Sequence, residues 1–404
     1  MKMEEAGMHE VVIVGAGIAG LALALALKRV GIRSLVLERS SELRAVGTIL
    51  HVFHNGWCAL ESLGVAHYFD KAYNDFQTAS SSVSDMVSGA RKEVSMSAGA
   101  TASTSMRPIH RKFLLETLAA ELPPESIRFL CKLSSIKTQA LKDSSSVYVL
   151  SLEDGSVIRA KVVIGCEGVH SVVAQWLGLS EPVRSGRSAV RGVGLYPEGH
   201  GFKKEHQQFI GHGIKGGLVP ISNTQETARD PELIRNEVMK TTKEFPEEYH
   251  EVVKRSELSS LTLAPLLFRV PWDVAFGPSR RGCVTVTGDA FHPMTPDIAQ
   301  GGCAALEDAV VLARNIANKR HNVAEGIEKY VKERRWRAAR LVAFSYIAGV
   351  LGHWHTGGVF GGVMEWFRVY IFNWFLHSKY GSLNYDCGTL PAVAADFNDE
   401  EAKV

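Results

Sequence analysis

The pattern of apolar and polar positions near the start of the chain changes period twice within thirty residues. Residues 11–14 form a continuous β-branched run, which is typical of a parallel strand buried on both faces. Residues 18–30, rich in alanine and leucine, predict a helix, and Gly31 stands where a helix C-terminus is often capped. Residues 34–37 predict a second strand. The order of strand, turn, helix and strand is typical of a βαβ unit.

A similar order returns late in the chain. Residues 284–287 predict another buried strand, followed by a proline-rich turn from Pro293 to Pro296. A helix is predicted over residues 303–317. The chain therefore has two separated segments of the kind that build a parallel sheet with helices packed on it.

The segments between these two regions predict a second sheet. Residues 75–105 are polar and serine-rich with weak alternation, and residues 189–196 and 258–270 alternate more clearly. From Val323 onward the pattern is that of a charged amphipathic helix.

We therefore expect an α/β protein (α+β overall). It comprises a Rossmann-like nucleotide-binding domain, an inserted and mainly antiparallel β-sheet substrate domain, and a C-terminal helical region. The expected bounds are 1–75, 105–180 and 278–325 for the first domain, 76–104 and 181–277 for the second, and 326–404 for the C-terminal helices and an acidic tail that we expect to be disordered.

Composition narrows the class of protein. Of 404 residues, 46% are hydrophobic and 22% are charged, as in an ordinary globular enzyme. The formal charge of +2 gives no basic excess, which argues against a nucleic-acid partner. The six cysteines lack the spacing of a metal site and fit free thiols in a reducing compartment. No metal site is expected.

The sequence also bears on location. The first strand follows a short, acid-bearing start, which leaves no room for a signal peptide, so we expect a cytoplasmic protein. The sequence has no run of about 18 uninterrupted apolar residues, so no transmembrane helix is predicted. The aromatic stretch 360–376 carries only Glu365 and Arg368 as charges. We expect it to pack on the first domain, with peripheral membrane contact as the alternative.

The first turn carries glycines at G-x-G-x-x-G spacing. Gly15 permits a tight turn, Gly17 lets the backbone approach a pyrophosphate, and Gly20 lets the helix pack on the strand. Glu38 follows the second strand, where a carboxylate can accept hydrogen bonds from ribose hydroxyl groups. The setting indicates a dinucleotide site, for which the candidate contacts are Gly15, Gly17, Ile18, Ala19, Gly20, Glu38 and Arg39.

The second motif favours a flavin over a nicotinamide dinucleotide. Asp289 follows a predicted strand, so it belongs at the carboxyl end of the sheet, where it can accept hydrogen bonds from a ribityl chain. The free N–H groups near Gly301 and Gly302 would face a flavin pyrimidine edge and stabilise its anionic reduced form. Taken alone, this segment also fits a strand, loop and helix with a solvated aspartate.

Three motifs together carry a family resemblance: the glycine loop, G-D-A-F-H-P-M-T-P at 288–296, and G-C-E-G-V-H-S-V-V at 165–173. The chain resembles the single-component (group A) FAD-dependent monooxygenases with the para-hydroxybenzoate hydroxylase fold. It is most similar to plant monooxygenases related to zeaxanthin epoxidase and salicylate hydroxylase. The resemblance covers roughly residues 10–319.

This resemblance implies the chemistry. NADPH or NADH would reduce FAD, oxygen would add at the flavin C4a carbon, and the hydroperoxide would transfer one oxygen atom to a small aromatic or lipophilic substrate. Both hydroxylation and epoxidation stay open, as do a monomer and a homodimer. No catalytic side chain beyond the flavin is implied. The implied further cofactor contacts are Gly47, Thr48, Arg111, Leu133, Asp289, Pro296, Gly301 and Gly302, and the substrate-pocket candidates are Arg191 and Pro293.

The chain departs from the family pattern at several positions. Glu167 replaces an aspartate, Phe291 replaces a small residue, and Ala299 replaces a glycine, where a methyl group is costly if φ must be positive. The further substrate-domain strand that relatives have is not predicted near 221–230. A non-catalytic FAD-binding relative therefore stays an alternative, as does an oxidoreductase without oxygenation. A flavin halogenase would need a W-x-W pair, which none of the seven tryptophans forms. An NAD-linked dehydrogenase would use the first motif but leave the second one unexplained.

Overall fold

A computed structural model of the chain describes residues 7–43, 49–73, 80–87, 89–95, 107–140, 146–194, 196–197, 201, 205–211, 213–218, 232–256, 261–353, 366, 370 and 385–392. The strands in chain order are β1 (Met8–Val14), β2 (Ser34–Leu37), β3 (Ile49–Val52), β4 (Ser80–Asp85), β5 (Arg91–Ser95), β6 (Arg107–His110), β7 (Ile127–Arg128), β8 (Leu133–Ala140), β9 (Ser146–Leu152), β10 (Val157–Gly165), β11 (Val183–Arg191), β12 (Glu205–Gly211), β13 (Ile214–Leu218), β14 (Thr262–Phe268), β15 (Arg280–Arg281) and β16 (Val284–Val286).

The helices, within the same described residues, are α1 (Ile18–Arg29), α2 (His54–Ser62), α3 (Ala66–Tyr73), α4 (Arg111–Ala120), α5 (Val172–Leu177), α6 (Glu232–Thr241), α7 (Glu247–Lys254), α8 (Pro271–Phe276), α9 (Gly301–Ala317) and α10 (Val323–His353). Short 3-10 turns cover Pro124–Ser126, Gly288–Ala290 and Pro296–Ile298.

The largest sheet has the Rossmann-type core that the sequence predicts. Its main path runs β15-β16-β10-β1-β2-β7, and β1 pairs in parallel with both β2 and β10. The register places Val14 opposite Gly165, and Gly165 opposite Val286. The carboxyl ends of β1, β10 and β16 therefore lie side by side, which is where α/β sheets bind ligands.

Both faces of this sheet are covered. Helix α1 is almost wholly apolar because it lies between the sheet and α9, and Leu21, Leu23 and Leu25 are fully buried. On the opposite face, Val12 and Val163 pack with Val173 of α5 and Val342 of α10. Burial on both faces explains why β1 reads as a continuous apolar run instead of an alternating one.

A second group of strands forms the sheets of the inserted region. One sheet has the order β13-β12-β4-β5, and β11 pairs antiparallel with β14. Most of these pairings are antiparallel, as expected, but β12 and β4 run parallel. The strand expected at 189–196 lies earlier, at β11, and the one expected at 258–270 is shorter, at β14.

The helix ends lie close to where the sequence predicts them. Gly31 has φ +71°, as a residue just past a helix C-terminus needs. Helix α9 begins two residues earlier than predicted, at Gly301. The shortened stretch near 221–230 lies outside the described residues. So does most of 360–376, where Trp366 and Tyr370 are exposed and their rings stack at 5.4 Å.

The cysteines and the helix lengths complete the picture. All six cysteines are free, and Cys131, Cys166, Cys303 and Cys387 are buried. None of the helices within the described ranges has both the length and the apolar composition needed to cross a membrane.

Candidate functional site

Three motifs that are far apart in sequence meet at the carboxyl edge of the main sheet. Gly15 follows β1 with φ +104°, and a Cβ atom there would lie 2.6 Å from the Cys166 carbonyl oxygen at the end of β10. Gly288 follows β16 with φ +59°, and its Cβ would lie 2.8 Å from Cβ of Ala19. Both positions require glycine because of the positive φ and the close approach. The two glycines let the motifs touch.

The glycine loop has the shape expected of a phosphate cradle. A Cβ on Gly20 would lie 1.9 Å from the Gly15 carbonyl oxygen, so the helix packs directly on the turn. Gly17, in contrast, has no atom of the described residues within 4 Å of its Cβ position and faces open space. Gly17 is also the N-cap of α1 and, as a glycine, has no side chain with which to cap the helix. An uncapped helix start beside open space suits an anion.

Glu38 lies at the end of β2 and closes over this loop. Its carboxylate is buried and accepts hydrogen bonds from the Ala16 and Ser40 backbone N–H groups, each at 2.9 Å. Arg39 beside it is exposed, and Leu133 is buried at the start of β8. The predicted contacts Gly47 and Thr48 lie outside the described residues.

Asp289 faces the site from the second motif. Its side chain reaches solvent, yet it is surrounded closely enough for desolvation to raise the pKa of the carboxyl, against the opposing effect of His292 and Arg111. Arg111, the first residue of α4, is therefore close enough to act on Asp289 electrostatically. Asp289 Oδ1 also lies 4.0 Å from the position of a Cβ on Gly301. The structure thus brings Asp289, Arg111 and Gly301 together.

The start of α9 is a second uncapped helix terminus. Gln300 is its N-cap residue but forms no side-chain cap, and a Cβ on Gly302 would overlap Leu50 at 2.2 Å. Just before it, Ala299 has φ +51°, the strained conformation that the missing family glycine would relieve. Pro296 is exposed beside this turn.

Glu167 of the middle motif, where the family has an aspartate, accepts hydrogen bonds at the start of α5. Its carboxylate accepts a hydrogen bond from Ser171 Oγ at 2.6 Å and one from the Val173 N–H at 3.1 Å. Ser171 in turn caps α5 by accepting from the Ala174 N–H. Burial raises the pKa of Glu167, with these hydrogen bonds opposing the rise. Glu167 therefore helps Ser171 to cap α5.

Sequence reasoning missed a buried network behind the second motif. Asp308 of α9 is fully buried and accepts from Thr287 Oγ1 (3.1 Å), the Gly288 N–H (3.0 Å) and Arg334 Nε (2.7 Å), while His292 Nε2 lies 2.6 Å away. Although burial disfavours the charge, His292 and Arg334 hold the pKa of this carboxyl well below its usual range. Asp308 thus fixes both ends of the 288–292 turn.

Glu307, the preceding residue, joins the same network. It pairs with Arg334 Nη2 at 2.6 Å and with both Nε and Nη2 of Arg337, and it accepts from Asn55 Nδ2. Asn55 also donates to Gln300 at the start of α9. The signal available in the sequence was the acidic pair in an otherwise apolar helix, since buried carboxylates need partners.

A buried arginine holds the other side of the turn. Arg269 donates from Nη1 to the carbonyl oxygens of Ala290 and Phe291 at 2.8 and 2.5 Å, and its backbone N–H donates to Pro293. Phe291 is fully buried in the core on this side of the sheet. Its bulk is therefore accommodated away from the open site. Pro293 is buried at the same turn.

The substrate-pocket candidate Arg191 lies on β11, on the same face as Arg187 because the two are four residues apart. Arg187 forms a bidentate pair with Asp297 of the proline-rich turn, at 2.9 and 2.7 Å, and Lys215 Nζ lies 3.9 Å from the same carboxylate. This face of the inserted region therefore meets the turn next to α9. Burial lowers the pKa of Arg191.

Comparison with known proteins agrees with this geometry. Residues 8–345 match the family described as FAD binding domain. Monooxygenase 2 of Arabidopsis thaliana is 35% identical over 96% of this chain and 100% of its own length. Monooxygenase 1 of the same plant is 37% identical over 86% of this chain and 91% of its own. The resemblance drawn from the motifs is confirmed.

A solved structure shows the same fold. The Klebsiella pneumoniae protein HpxO, described in complex with FAD and uric acid, superposes with a TM-score of 0.76. It is 22% identical, and the match covers 93% of this chain and 96% of HpxO.

Proposed function

Since the chain belongs to the family of FAD-dependent monooxygenases, we propose that it consumes NADPH or NADH and inserts one oxygen atom from O2 into a small aromatic or lipophilic substrate. The observation that carries this proposal is the convergence of Gly15, Cys166 and Gly288 at one sheet edge. Two uncapped helix starts open onto that edge.

The residues at this edge fit FAD. Gly17 faces open space at a helix start, so its N–H group and those of Ile18, Ala19 and Gly20 in the first turn of α1 would bind the pyrophosphate. Glu38 and Arg39 would lie at the ribose. Asp289 and Arg111 would hold the ribityl chain of FAD, which lies between its phosphates and its ring. Further contacts would come from Leu133, Pro296, Gly301 and Gly302. Gly47 and Thr48, outside the described residues, remain proposed contacts.

FAD, when bound and reduced, would supply the reaction with O2 that delivers an oxygen atom. The protein would orient the cofactor and the substrate and exclude water from the site. The N–H groups at the start of α9 would stabilise negative charge on the ring, because a helix N-terminus carries partial positive charge. Asp308 and Arg269 hold the 288–292 turn from two sides, so the ring-facing backbone is fixed before substrate arrives.

The substrate side is proposed at the junction with the inserted region, residues 76–104 and 181–277. Arg191 and Pro293 remain its candidate lining residues. Arg191 carries a partly desolvated guanidinium on the strand face that meets Asp297. HpxO, with the same fold, is described with uric acid, a planar heteroaromatic compound. We therefore propose a planar ring compound as the substrate class.

The test is an anaerobic titration of the FAD-loaded protein with NADPH and with NADH, with and without a panel of small aromatic compounds. We expect loss of flavin absorbance, accelerated by the compound that fits, and oxygen-dependent product once air is admitted. The Asp289→Asn variant should lose flavin during gel filtration, whereas Asp154→Asn, on a distant exposed turn, should retain it.

Two results would contradict the proposal. A bound flavin that neither nicotinamide reduces would favour the non-catalytic alternative, for which strained Ala299 is the motivating observation. Reduction without any oxygenated product from the panel would favour an oxidoreductase of the same fold. Full flavin retention in Asp289→Asn would remove Asp289 from the binding residues.

A further inference from the structure

A buried asparagine of α2 is hydrogen-bonded to the first two turns of α9. Asn55 Nδ2 donates to Gln300 Oε1 at 2.9 Å and to Glu307 Oε1 at 2.5 Å. All three side chains are fully buried. Gln300 is the N-cap residue of α9, and Glu307 lies about two turns further along the same helix. A single amide group on α2 therefore spans the start of α9.

The two helices approach each other closely at this point. A Cβ atom on Gly56, the residue after Asn55, would lie 2.8 Å from Cys303 Sγ in the first turn of α9. Glycine at position 56 thus lets α2 pack directly against that turn. Because close-packed interiors transmit small displacements, a change at Asn55 should reach the first turn of α9.

The charge on Glu307 decides how both amides are oriented. Although burial disfavours this charge, Arg337 and Arg334 hold the pKa of Glu307 below its usual value. An ionised carboxylate can only accept hydrogen bonds, so the NH2 group of Asn55 must face it. The second N–H of the same group then points to Gln300, which must present its carbonyl oxygen.

This orientation leaves two buried atoms without hydrogen bonds. Neither Asn55 Oδ1 nor Gln300 Nε2 has a partner among the described residues. Buried polar atoms are normally paired, and leaving them unpaired lowers the stability of a fold. The arrangement is therefore better explained by where it holds the start of α9 than by the stability that it adds.

The first turn of α9 lacks a side-chain cap. The Gln300 side chain does not cap it, and Ala299 just before it has φ +51°, a conformation that favours glycine. The Gln300 carbonyl oxygen accepts the Ala304 N–H at 2.8 Å. The N–H groups of Gly301 and Gly302 come before this bond and belong to those that a helix leaves without an internal partner. Their directions therefore follow from how Gln300 is held.

We propose that Asn55 is a positioning residue for the flavin: through Gln300 it fixes the first turn of α9, so that the N–H groups there meet the negative charge of the reduced ring. This assignment deepens the proposed function and rests on its placement of the FAD ring at the start of α9. Dipoles that are already fixed stabilise a charge better than dipoles that must reorganise. Because they favour the reduced, anionic form over the oxidised one, Asn55 should raise the midpoint potential of bound FAD.

The test measures the two-electron midpoint potential of the FAD-loaded full chain by reduction against a reference dye, without nicotinamide, substrate or oxygen. Asn55→Leu nearly keeps the side-chain volume and removes both hydrogen bonds. We expect its affinity for reduced FAD relative to oxidised FAD to fall about tenfold, which lowers the midpoint potential by about 30 mV. Gln300→Met removes the acceptor and should lower the potential similarly. The double variant should fall no further, because both changes break one link.

The matched control is another buried asparagine of the same region. Asn315, near the other end of α9, donates to the Val311 carbonyl oxygen at 2.9 Å and to Glu333 Oε2 at 3.4 Å. Asn315→Leu should lower the thermal unfolding temperature, as Asn55→Leu should, but leave the midpoint potential unchanged. An equal fall in potential in this control would mean that any loosening of α9 suffices, and would overturn the proposal.

Hydrogen exchange in the flavin-free protein tests the link between the helices without FAD. We expect the Ala304 N–H to exchange faster in Asn55→Leu than in the wild type, and at the wild-type rate in Asn315→Leu. An unchanged midpoint potential in Asn55→Leu would overturn the proposal, whatever the exchange rates. If Asn55→Leu does not hold FAD, the potential of Gln300→Met decides by the same criterion.

None of these measurements requires turnover, so they are independent of the oxygenation test. A protein whose midpoint potential depends on Asn55 but which forms no oxygenated product would contradict the proposed reaction and leave the positioning role standing. A protein that oxygenates a substrate with a potential insensitive to Asn55 would do the reverse.

Discussion

Two polar regions lie against helix α9 and differ in how their carboxylates are satisfied. In the first, Glu307 and Asp308 are fully buried, and each is paired with arginine and further hydrogen-bond donors. In the second, at the start of the helix, the Asp289 side chain is exposed. The first region is called the closed side of the site and the second its open side.

The difference shows which groups hold the structure and which are available to ligands. Breaking a buried charge pair by removing one partner leaves an uncompensated charge, so the closed side should dominate stability. The open side presents a carboxylate that solvent and ligands can reach. Substitutions on the two sides should therefore affect different measurements.

The largest effect is expected at the centre of the closed side. Arg334→Met removes the partner that Glu307 and Asp308 share and leaves both carboxylates underpaired. We expect a loss of about 3–5 kcal/mol in the free energy of unfolding, measured by urea denaturation of the flavin-free protein. Lys332→Met on the same helix removes an exposed pair with Glu328 and should leave the free energy of unfolding nearly unchanged. Equal losses in the two variants would end the distinction.

A second effect on the closed side depends on pH. Asp308→Asn should cost about 2–3 kcal/mol near pH 7, because an amide cannot replace the charged acceptor of these hydrogen bonds. The pKa of Asp308 is depressed in the folded state, so its contribution is complete above the unfolded value of about 4 and is lost as the pH falls toward the folded one.

The difference in unfolding free energy between the wild type and Asp308→Asn should therefore be constant above about pH 5 and shrink below about pH 4. Denaturation curves at a series of pH values measure this directly. A difference that stays constant down to pH 3 would mean that the carboxylate is not stabilised in its charged form.

The smallest effect is expected at the edge of the open side. Ala299→Gly relieves the positive φ, which costs about 1–2 kcal/mol in a residue with a Cβ, but makes the unfolded chain more flexible. We expect a net stabilisation of about 0.5–1 kcal/mol. The same change in the interior of a helix, Ala343→Gly in α10, should destabilise by a similar amount. Destabilisation in both would show that Ala299 is not strained.

The sequence predicts the glycine loop of this site better than the buried polar network around Asp308. Gly15, Gly17 and Gly20 lie within one turn, so their spacing alone specifies the local shape, and the strand registers then follow from apolar runs. Arg334 lies 26 residues from Asp308 and within a helix that reads as charged and amphipathic. Only the packing of α10 on α9 shows that this arginine is buried.

The same limit applies where the inserted region meets the rest of the chain. The rings of His51 and His206 lie 5.1 Å apart, yet these residues belong to strands of different sheets, and no local periodicity connects them. The strain at Ala299 was anticipated because it depends on a single backbone angle. Features within one turn are therefore readable from sequence, whereas pairings between distant elements require the fold.

The buried thiols make local opening of the structure measurable through their rate of alkylation. Burial raises the pKa of Cys303 and of Cys387 to about 12, and that of Cys166 well above its usual value. Only the thiolate attacks an alkylating reagent, so these sulfurs are chemically silent while the surrounding structure is closed. Because Cys303 lies in the first turn of α9 and Cys166 at the end of β10, the alkylation rate of each reports how often that part of the edge opens.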